Sequence, residues 1–390
     1  MSNIPEIERL SDAMTEWRHD FHAHPETAFE EIRTSGIVAE KLDAWGIEVH
    51  RGIAKTGVVG VLHGTGGEGP MIGLRADMDA LPMQEENEFA HASTVSGKMH
   101  GCGHDGHTTM LLGAAKFLSE NRDFTGSVAF IFQPAEEGYG GGREMVREGL
   151  FDKFPCESVY GMHNWPELPA GEAAVMDGPM MAATDAIEIA VRGHGGHAAM
   201  PHLSTDSVVV AAHIITALQT LVSRNVDPTQ SAVVSVCDLH GGVGAYNVIP
   251  QSVQMKGTIR TFTPDVRSAL NARVRQVAGD VARALGAEAD VKVTEGYPPT
   301  VNTAAEAKLA ADVLGELLGS GERVHRNLPP CMGGEDFSFM LNERPGAYIW
   351  MGQAGGPSGC MVHNPRYDFN DGILATGASY WVKLVERVLG

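Results

Sequence analysis

The segment Asp185-Ala-Ile-Glu-Ile-Ala-Val-Arg192 decides how the chain is divided, because its apolar and polar residues alternate with period two. This pattern predicts an antiparallel strand with one face against a core and the other face in water. The residues that follow predict a helix at 205–223, strands at 232–236 and 253–261, a helix ending at 285, and a strand at 289–294. The predicted order of elements is therefore β-α-β-β-α-β.

The chain before this region has a different pattern. Short apolar strand candidates, such as Gly57–Leu62 and Ser127–Phe132, alternate with helix candidates at 26–45 and 108–118. Such alternation is typical of an α/β sheet that has helices on both faces.

The α/β pattern returns after Glu295, where Thr303-Ala-Ala-Glu306 predicts the capped start of another helix. The simplest interpretation is a small domain inserted into a larger one. We therefore predict an α/β domain made of residues 1–183 and 296–390, and an inserted ferredoxin-like α+β domain of residues 184–295.

Composition excludes several classes of function. The chain has 390 residues, more than one core usually holds, with 43% apolar and 20% charged residues and a net charge of −20. This charge disfavours binding to nucleic acids and to anionic membranes. No basic and apolar leader begins the sequence, and no stretch approaches the roughly 20 apolar residues that span a bilayer.

The cysteines are odd in number and widely scattered, at positions 102, 156, 237, 331 and 360. This distribution does not fit a disulfide framework, and we expect a reducing, cytoplasmic location.

The segment Met99-His-Gly-Cys-Gly-His-Asp-Gly-His107 carries the strongest chemical signal. Cys102 and His104 supply a thiolate and an imidazole two residues apart, and the glycines allow the backbone to fold tightly around an ion. Either residue alone would more often be structural. His100 and His107 flank the pair, and we expect at most one of them to reach the site.

Three later segments place His or Glu beside Gly or Pro at the ends of apolar strand candidates: Pro134-Ala-Glu-Glu-Gly138, Gly161-Met-His-Asn-Trp-Pro166 and Val362-His-Asn-Pro365. Strand ends are where ligands gather in open α/β sheets. The adjacent carboxylates of Glu136 and Glu137 repel each other unless a cation or a proton compensates them. The spacing is unlike that of a small structural zinc site, so the four segments together predict a catalytic metal site.

These motifs resemble the M20 metallopeptidase superfamily, specifically its M20D branch of aminoacylases, hippurate hydrolases and indole-acetyl–amino-acid hydrolases. The resemblance extends from Trp17 to the His363 segment. It rests on the Cys102 motif and on three other stretches, Leu74-Arg-Ala-Asp-Met-Asp-Ala-Leu-Pro82, Phe132-Gln-Pro-Ala-Glu-Glu-Gly138 and Gly193-His-Gly-Gly-His-Ala-Ala-Met-Pro-His202. It implies a phosphorylase/hydrolase-like catalytic domain with a twisted mixed sheet, and an inserted domain that serves as a dimerisation or lid domain.

The resemblance also implies the roles of individual residues. The implied metal ligands are Cys102, His104, Glu137, His163 and His363. Glu136 falls where the family keeps its general base. The implied cofactor is a pair of divalent ions per subunit, with Mn²⁺ or Zn²⁺ favoured and Co²⁺ or Ni²⁺ as alternatives. The thiolate of Cys102 softens an otherwise oxygen-rich site and leaves the choice of metal open.

Further residues are candidates for contact with a substrate. His197 matches a family histidine that reaches the scissile carbonyl, Asn247 matches a polar group near the substrate, and Arg260 is a candidate clamp for a carboxylate. The alternatives are a glycine-rich turn at His197, an ordinary turn residue at 247 and a solvated strand position at 260. Asp77 matches an aspartate that orients a metal-ligand histidine, or else pairs with Arg75; we rank Asp79 below it.

The resemblance thus implies a metal-dependent amidohydrolase that cleaves N-acyl-L-amino acids, such as hippurate or N-acetyl amino acids, with Glu136 as general base. N-acetyl-diaminopimelate deacetylase, dipeptidase and indole-acetyl-conjugate hydrolase activities are alternatives of the same chemistry. A non-catalytic metal- or peptide-binding module is the alternative from another class. The expected partners are a small-molecule substrate and a second copy of the chain, in a homodimer formed through the inserted domain.

Overall fold

The computed structural model describes residues 3–356 and 359–390. By internal packing the chain divides into two compact units. The large unit comprises Met1–Met180, Val301–Pro329 and Asp336–Gly390, and the small unit comprises Met181–Thr300 and Pro330–Glu335. The small unit thus begins and ends a few residues outside the predicted insertion 184–295, and it also includes a short loop from the C-terminal part of the chain.

The α-helices are, in chain order, α1 (Pro5–Glu8), α2 (Ser11–Ala23), α3 (Ile32–Ala44), α4 (His104–Glu120), α5 (Glu136–Tyr139), α6 (Gly141–Arg147), α7 (Leu150–Lys153), α8 (Ser207–Asn225), α9 (Pro264–Ala284), α10 (Ala304–Leu318), α11 (Ser338–Glu343) and α12 (Leu374–Leu389). The strands are β1 (Glu48–Ile53), β2 (Gly57–His63), β3 (Met71–Asp77), β4 (Ser127–Gln133), β5 (Cys156–Pro169), β6 (Ala173–Ala174), β7 (Gly178–Met181), β8 (Ala183–Arg192), β9 (Gly196–His197), β10 (Ala232–Gly241), β11 (Val248–Ile249), β12 (Ser252–Thr261), β13 (Glu288–Glu295), β14 (Thr300–Asn302), β15 (Val324–His325) and β16 (Gly346–Ala354).

The large unit is built on an eight-stranded sheet in the order β1-β2-β4-β3-β5-β16-β6-β15. Its central pairs β4/β3, β3/β5 and β5/β16 are parallel, whereas β1/β2 and β2/β4 are antiparallel. Strand β4 is buried along its whole length, as expected for a central strand that is covered on both faces. The predicted α/β class with a mixed sheet is therefore confirmed.

The small unit has a four-stranded antiparallel sheet in the order β10-β12-β8-β13, with helices α8 and α9 between the strands in sequence. Side chains of β8 alternate between buried and exposed positions, as the segment 185–192 predicts. The buried ones, such as Ile187 and Ile189, pack with Ile214 of α8 and Val274 of α9 in one core. This is the predicted ferredoxin-like βαββαβ arrangement.

Helix α8 is long and apolar enough to cross a membrane by length and composition alone, with a mean hydropathy of 1.4 in its most apolar window. One face of it, including Val210, Ile214 and Leu218, packs in the core of the small unit. We therefore interpret α8 as a core helix of this unit.

The predicted helix at 26–45 is wrong at its start, because α3 begins at Ile32. Phe29 has a positive φ of 61°, which ends any helix there. The carboxylate of Glu26 instead accepts hydrogen bonds from the N–H groups of Arg33 and Thr34, at 3.0 and 2.8 Å. These are helix-terminal donors that need an acceptor, so Glu26 caps the helix from outside it.

Candidate metal centre

The central parallel strands bring the candidate ligands to one edge of the large sheet. Asp77, the last residue of β3, lies opposite Gln133, the last residue of β4. The acidic pair Glu136-Glu137 follows β4, and His163 lies on β5 next to β3. Side chains that follow neighbouring parallel strands meet at the carboxyl edge of the sheet, which is the usual site of function in such folds.

Cys102 and His104 stand at the start of helix α4, and both are buried. Gly103 between them has a φ of 94°, and a Cβ at this position would lie only 2.3 Å from Oδ1 of Asn164. Glycine is therefore required here for both its conformation and its lack of a side chain. This explains why a Cys-Gly-His sequence can place a thiol and an imidazole at one point.

The ring of His104 is held by its Nδ1, which donates a hydrogen bond to the backbone oxygen of Asp79 at 2.8 Å. In the neutral ring Nε2 carries the lone pair, as in histidines that bind metals. Nε2 is buried and has no hydrogen-bond partner among the described residues. A buried nitrogen of this kind is costly unless something binds it, and a cation is the partner that fits.

His163 is arranged in the same way. Its Nδ1 donates to the backbone oxygen of Asn164 at 2.7 Å, and its Nε2 lies 3.3 Å from Sγ of Cys102. Next to it, the ring of Trp165 stacks on Trp350 with centroids 4.1 Å apart, and the Trp165 ring is 6.4 Å from the His163 ring. Nε2 of His163, the nitrogen that the backbone does not hold, thus faces the thiol of Cys102.

The acidic pair lies in a tight turn at the carboxyl end of β4. Ala135 has a φ of 55° and Gly138 a φ of 84°, so the backbone on either side of the pair is in the left-handed region. For alanine this conformation costs energy, which points to a functional constraint. The side chain of Glu136 is buried, and that of Glu137 is partly buried.

His363 approaches from the C-terminal part of the chain, on a residue with a φ of 63°. Its N–H donates to the backbone oxygen of Gly101 at 2.7 Å, and its Nε2 lies 3.2 Å from Oε1 of Glu137. Its side chain is 53% exposed, much more than the other candidate ligands. His363 therefore stands at the solvent side of the cluster.

The six side chains form three overlapping groups in which the ligand atoms lie within 4.8 Å of one another. These groups are Cys102/His104/His163, Cys102/Glu137/His363 and His104/Glu136/Glu137. Sulfur, imidazole nitrogen and carboxylate oxygen at such spacing are the donors that bind divalent transition metals. The residues present therefore fit a divalent metal ion.

The electrostatics of the cluster agree with this conclusion. Burial raises the pKa of Cys102, and burial together with the neighbouring His107 holds the pKa of His163 well below its ordinary value. Hydrogen bonds with Cys102 and Glu137 raise the pKa of His363 to about 10. A thiol and a carboxylate that stabilise positive charge on a neighbour would equally stabilise a bound cation.

Asp77 is part of a buried network with Arg75. Nη1 of Arg75 donates to Oδ2 of Asp77 at 2.8 Å, and its Nη2 donates to Asp336 at 3.0 Å. Oδ2 of Asp77 is also 3.7 Å from Nε2 of His104. Both alternatives for Asp77, pairing with Arg75 and contact with a ligand histidine, thus occur together, and its role towards a metal stays a prediction.

His107 uses both ring nitrogens in the structure. Nδ1 donates to Oδ1 of Asp77 at 2.7 Å, and Nε2 accepts the N–H of Asn164 at 3.0 Å. His100 is buried, and neither of its ring nitrogens has a hydrogen-bond partner among the described residues. His107 does form a further group of possible ligands with Asp77 and the predicted ligand His104, whereas His100 belongs to none of the groups found among the described residues.

The small unit brings His197 and Asn247 together. Strand β9 pairs with β11, so that His197 lies opposite Val248, and the N–H of Ala198 donates to the backbone oxygen of Asn247 at 3.0 Å. Both residues line a groove of about 690 Å³. Nδ1 of His197 accepts the N–H of Ala199 at 3.1 Å, so the neutral ring carries its hydrogen on Nε2.

Arg260 does not belong to this groove. It lies on β12, where its guanidinium donates to the hydroxyl of Thr258 and to the backbone oxygen of Ile259. The residues that line the groove around His197 do not include it. Its proposed contact with a substrate carboxylate therefore stays a prediction that this arrangement does not support.

Asp79 is the residue that sequence reasoning underrated. Its backbone oxygen orients His104, and its carboxylate lies 3.3 Å from the same ring nitrogen. The same carboxylate also accepts the N–H groups of Glu136 and Glu137. The available signal was the Asp77-Met-Asp79 spacing, which places two carboxylates just after a buried strand but does not say which of them contacts the ligands.

The chain matches the family model of peptidase family M20/M25/M40 over residues 73–387. It is 40% identical over 389 residues to a hippurate hydrolase of Campylobacter jejuni, with 100% of both chains covered. It is 38% identical to an N-acetylcysteine deacetylase of Bacillus subtilis, with 95% of this chain and 96% of the relative covered.

Solved structures give the same result. A dinuclear metal-binding peptidase of family M20 from Bacillus subtilis superposes with a TM-score of 0.84 at 34% identity, covering 98% of this chain and 99% of that one. The family model covers residues 73–387, and the relatives and the solved structure cover 95–100% of the chain. The chain belongs to peptidase family M20, in its M20D branch.

Proposed function

We propose that this protein is a metal-dependent amidohydrolase that cleaves the amide bond of N-acyl-L-amino acids. The observation that carries the proposal is the cluster in which Glu136 lies within 4.8 Å of donor atoms of His104 and Glu137. A hydrolase of this kind needs cation ligands and one further carboxylate to move protons. The names of the relatives, a hippurate hydrolase and an N-acetylcysteine deacetylase, support amides of acylated amino acids as the substrate class.

In this proposal the divalent ions are held by Cys102, His104, Glu137, His163 and His363. A cation bound there supplies Lewis acidity, which lowers the pKa of water and polarises the substrate carbonyl. Glu136 takes the proton from the attacking water and passes it to the leaving amine. Its burial beside the ligands keeps this carboxylate in a site of low dielectric, where proton transfer and charge interactions are strong.

The small unit supplies substrate contacts. The Nε2–H of His197 is a donor suited to the oxyanion that develops on the acyl oxygen. Asn247 lines the same groove and offers an amide to polar groups of the substrate. Arg260 stays the weaker candidate, as a partner for the substrate carboxylate, because it lies outside this groove and its guanidinium donates to Thr258 and Ile259.

We further propose that each subunit binds two divalent ions. Mn²⁺ or Zn²⁺ is the preferred metal, and Co²⁺ or Ni²⁺ is the alternative. The related Bacillus subtilis structure is that of a dinuclear metal-binding peptidase, which supports this number. Support for more than one position in this chain comes from Cys102, which belongs to two ligand groups, one with His163 and one with His363. A thiolate shared between two positions suits a borderline metal such as zinc, whereas the carboxylates suit manganese.

A cytoplasmic homodimer completes the proposal. The five cysteines are scattered along the chain, and Cys102, Cys156 and Cys237 are free thiols, which supports a reducing compartment. Strand β10 lies at the edge of the small unit's sheet and Leu239 on it is exposed, as are Val208 and Val209 of helix α8. An exposed edge strand beside apolar side chains is suited to pairing with a second copy.

The test is amine release from a panel of N-acyl amino acids, after chelation of metals and separate addition of Mn²⁺, Zn²⁺, Co²⁺ or Ni²⁺. The panel contains hippurate, N-acetyl amino acids, N-acetyl-diaminopimelate, an indole-acetyl conjugate and a dipeptide. We expect metal-dependent release from the N-acyl amino acids. Release from the dipeptide alone, or equal release without metal, would contradict the proposal.

A further inference from the structure

We propose that Asp79 and Glu31 are positioning residues, two buried carboxylates that hold the turn of the acidic pair by its backbone. This inference rests on the proposed function for the roles of Glu136 and Glu137. It adds two residues that touch neither the ligand atoms of the acidic pair nor the substrate, and that set where those atoms point.

The contacts are to three consecutive N–H groups. The N–H of Ala135 donates to Oε1 of Glu31 at 2.9 Å. The N–H groups of Glu136 and Glu137 donate to the two carboxylate oxygens of Asp79, at 3.0 and 2.9 Å. Glu31 is 0% and Asp79 is 1% exposed, so these hydrogen bonds are shielded from water.

Glu31 also holds two other segments of the large unit. Its Oε1 accepts the N–H of Phe29 at 3.0 Å, and its Oε2 accepts the hydroxyl of Thr56 at 2.5 Å. In the described chain, four of the five non-glycine residues with positive φ lie in the three segments that Glu31 ties together: Phe29, Ala54, Lys55 and Ala135. Unfavourable backbone conformations gathered around one buried carboxylate indicate a constraint imposed for function.

Stability alone does not account for this arrangement. Asp79 buries its negative charge within hydrogen-bond range of Glu136 and Glu137, which are themselves acidic, and burial of like charges is costly. The cost is offset if a cation lies among these groups. The carboxylate of Asp79 would then position both the acidic turn and the ring of His104. It holds the turn through the two N–H groups, and it lies 3.3 Å from Nδ1 of His104.

The two carboxylates are expected to respond differently to replacement by amides. Asp79 uses both oxygens for two N–H donors, so an asparagine would turn its NH₂ group towards one of them and displace the turn. Glu31 receives both N–H donors on Oε1, so a glutamine keeps that acceptor, and its NH₂ group can donate to the Thr56 hydroxyl. Asp79→Asn should therefore disturb the acidic turn, Glu31→Gln should spare it, and Glu31→Ala should disturb it.

Glu26→Gln is the matched control. Like Asp79, Glu26 accepts two consecutive backbone N–H groups with its two oxygens, but those groups belong to Arg33 and Thr34 at the start of α3. The loss of such a pair of bonds affects the stability of the large unit without touching the acidic turn.

The experiment measures amide hydrogen exchange of residues 135–137 in each variant, together with titration by Co²⁺ followed at the thiolate–cobalt absorption of Cys102. For Asp79→Asn and Glu31→Ala we expect exchange at this turn to accelerate at least about tenfold, and cobalt affinity to fall by about 10- to 100-fold, as for lost support of a metal site. Glu31→Gln and Glu26→Gln should keep both values near those of the wild type.

Wild-type exchange and cobalt affinity in folded Asp79→Asn and Glu31→Ala would overturn the proposal. If Asp79→Asn does not fold, the two Glu31 variants decide, because equal exchange in Glu31→Gln and Glu31→Ala contradicts the assigned role. Neither measurement needs a substrate. A wild-type protein that binds cobalt but hydrolyses no member of the panel would therefore refute the proposed function and leave this inference standing.

Discussion

The metal centre of the large unit and the candidate substrate groups of the small unit differ in how firmly they are held. His104 is 1% and His163 is 7% exposed, and each ring has one nitrogen fixed by a backbone carbonyl. His197, on the short strand β9, and Asn247, in the turn before β11, are exposed and lie beside an open groove. The side chains that would bind a cation are therefore held in place before any ligand binds. The candidate substrate-contacting side chains, in contrast, are ordered by their partners only when substrate binds.

The largest expected effect tests the buried side of this comparison. Replacing Glu136 by Gln should lower kcat by about 10⁴-fold, because the general base is lost while the shape of the side chain is kept. Metal content, measured by mass spectrometry of the purified protein, should not change. Glu144→Gln, on the neighbouring helix α6, is the control; equal loss of metal in Glu136→Gln would show that Glu136 is a ligand.

The next effect tests the exposed side. His197→Ala should lower kcat by about 10²- to 10³-fold through loss of a donor to the oxyanion, again with full metal content. His202→Ala, an exposed histidine in the same segment, should behave like the wild type. A His197→Ala variant that loses its metal would break the division between a metal-binding unit and a substrate-binding unit.

A third prediction concerns the pH dependence of stability, which tests the buried side chains of the large unit. His22 of the large unit is buried, yet hydrogen bonds to Asp105 and Glu85 outweigh this burial and raise its pKa to about 9 from an ordinary 6.5. A histidine with a raised pKa stabilises the fold fully below pH 6.5, and this contribution disappears as the pH rises through 9. Its size is on the order of 3 kcal/mol.

Calorimetry between pH 6 and 9.5 should therefore show a fall in Tm of the wild type across this interval. The slope should be smaller in His22→Gln, which should itself be less stable at pH 6. His50→Gln, a change at a partly exposed histidine, should keep the wild-type slope. Identical slopes in all three proteins would contradict the role of His22.

The smallest effect is expected at Arg260. Because a partly exposed ion pair is worth about 1 kcal/mol, Arg260→Ala should raise KM about fivefold with little change in kcat. Arg260→Lys should recover part of the loss if charge is what matters. An unchanged KM would agree with the position of Arg260 away from the groove and would remove it from the substrate site.

The sequence predicted the fold correctly, and it singled out the candidate ligands, because both rest on local patterns of residues. The order of apolar strands and helices, and the change to alternation at Asp185, report burial directly. The ligand candidates lie in short segments that contain glycine or proline, as Cys102 does beside Gly103 at the start of helix α4, and such segments can be recognised in the sequence. The structure indeed gathers these side chains in one cluster.

What escaped prediction depends on contacts between distant segments. The choice between Asp77 and Asp79 is decided by which N–H groups lie opposite each carboxylate, and those belong to a turn more than 50 residues away. The start of α3 is decided by Glu26 and by the backbone of Phe29. The predicted helix start at Thr303 is confirmed, but its hydroxyl contacts the Glu306 carboxylate and the backbone of Gly346 on β16 and caps no N–H group of the helix.

The stacked rings of Trp165 and Trp350 provide an intrinsic fluorescence signal close to the metal centre. Trp165 lies 6.4 Å from the ring of His163, a distance at which a paramagnetic ion on that histidine quenches indole fluorescence. Occupancy of the site can thus be followed in unlabelled protein, with the tryptophan emission as a direct readout of cation binding and release.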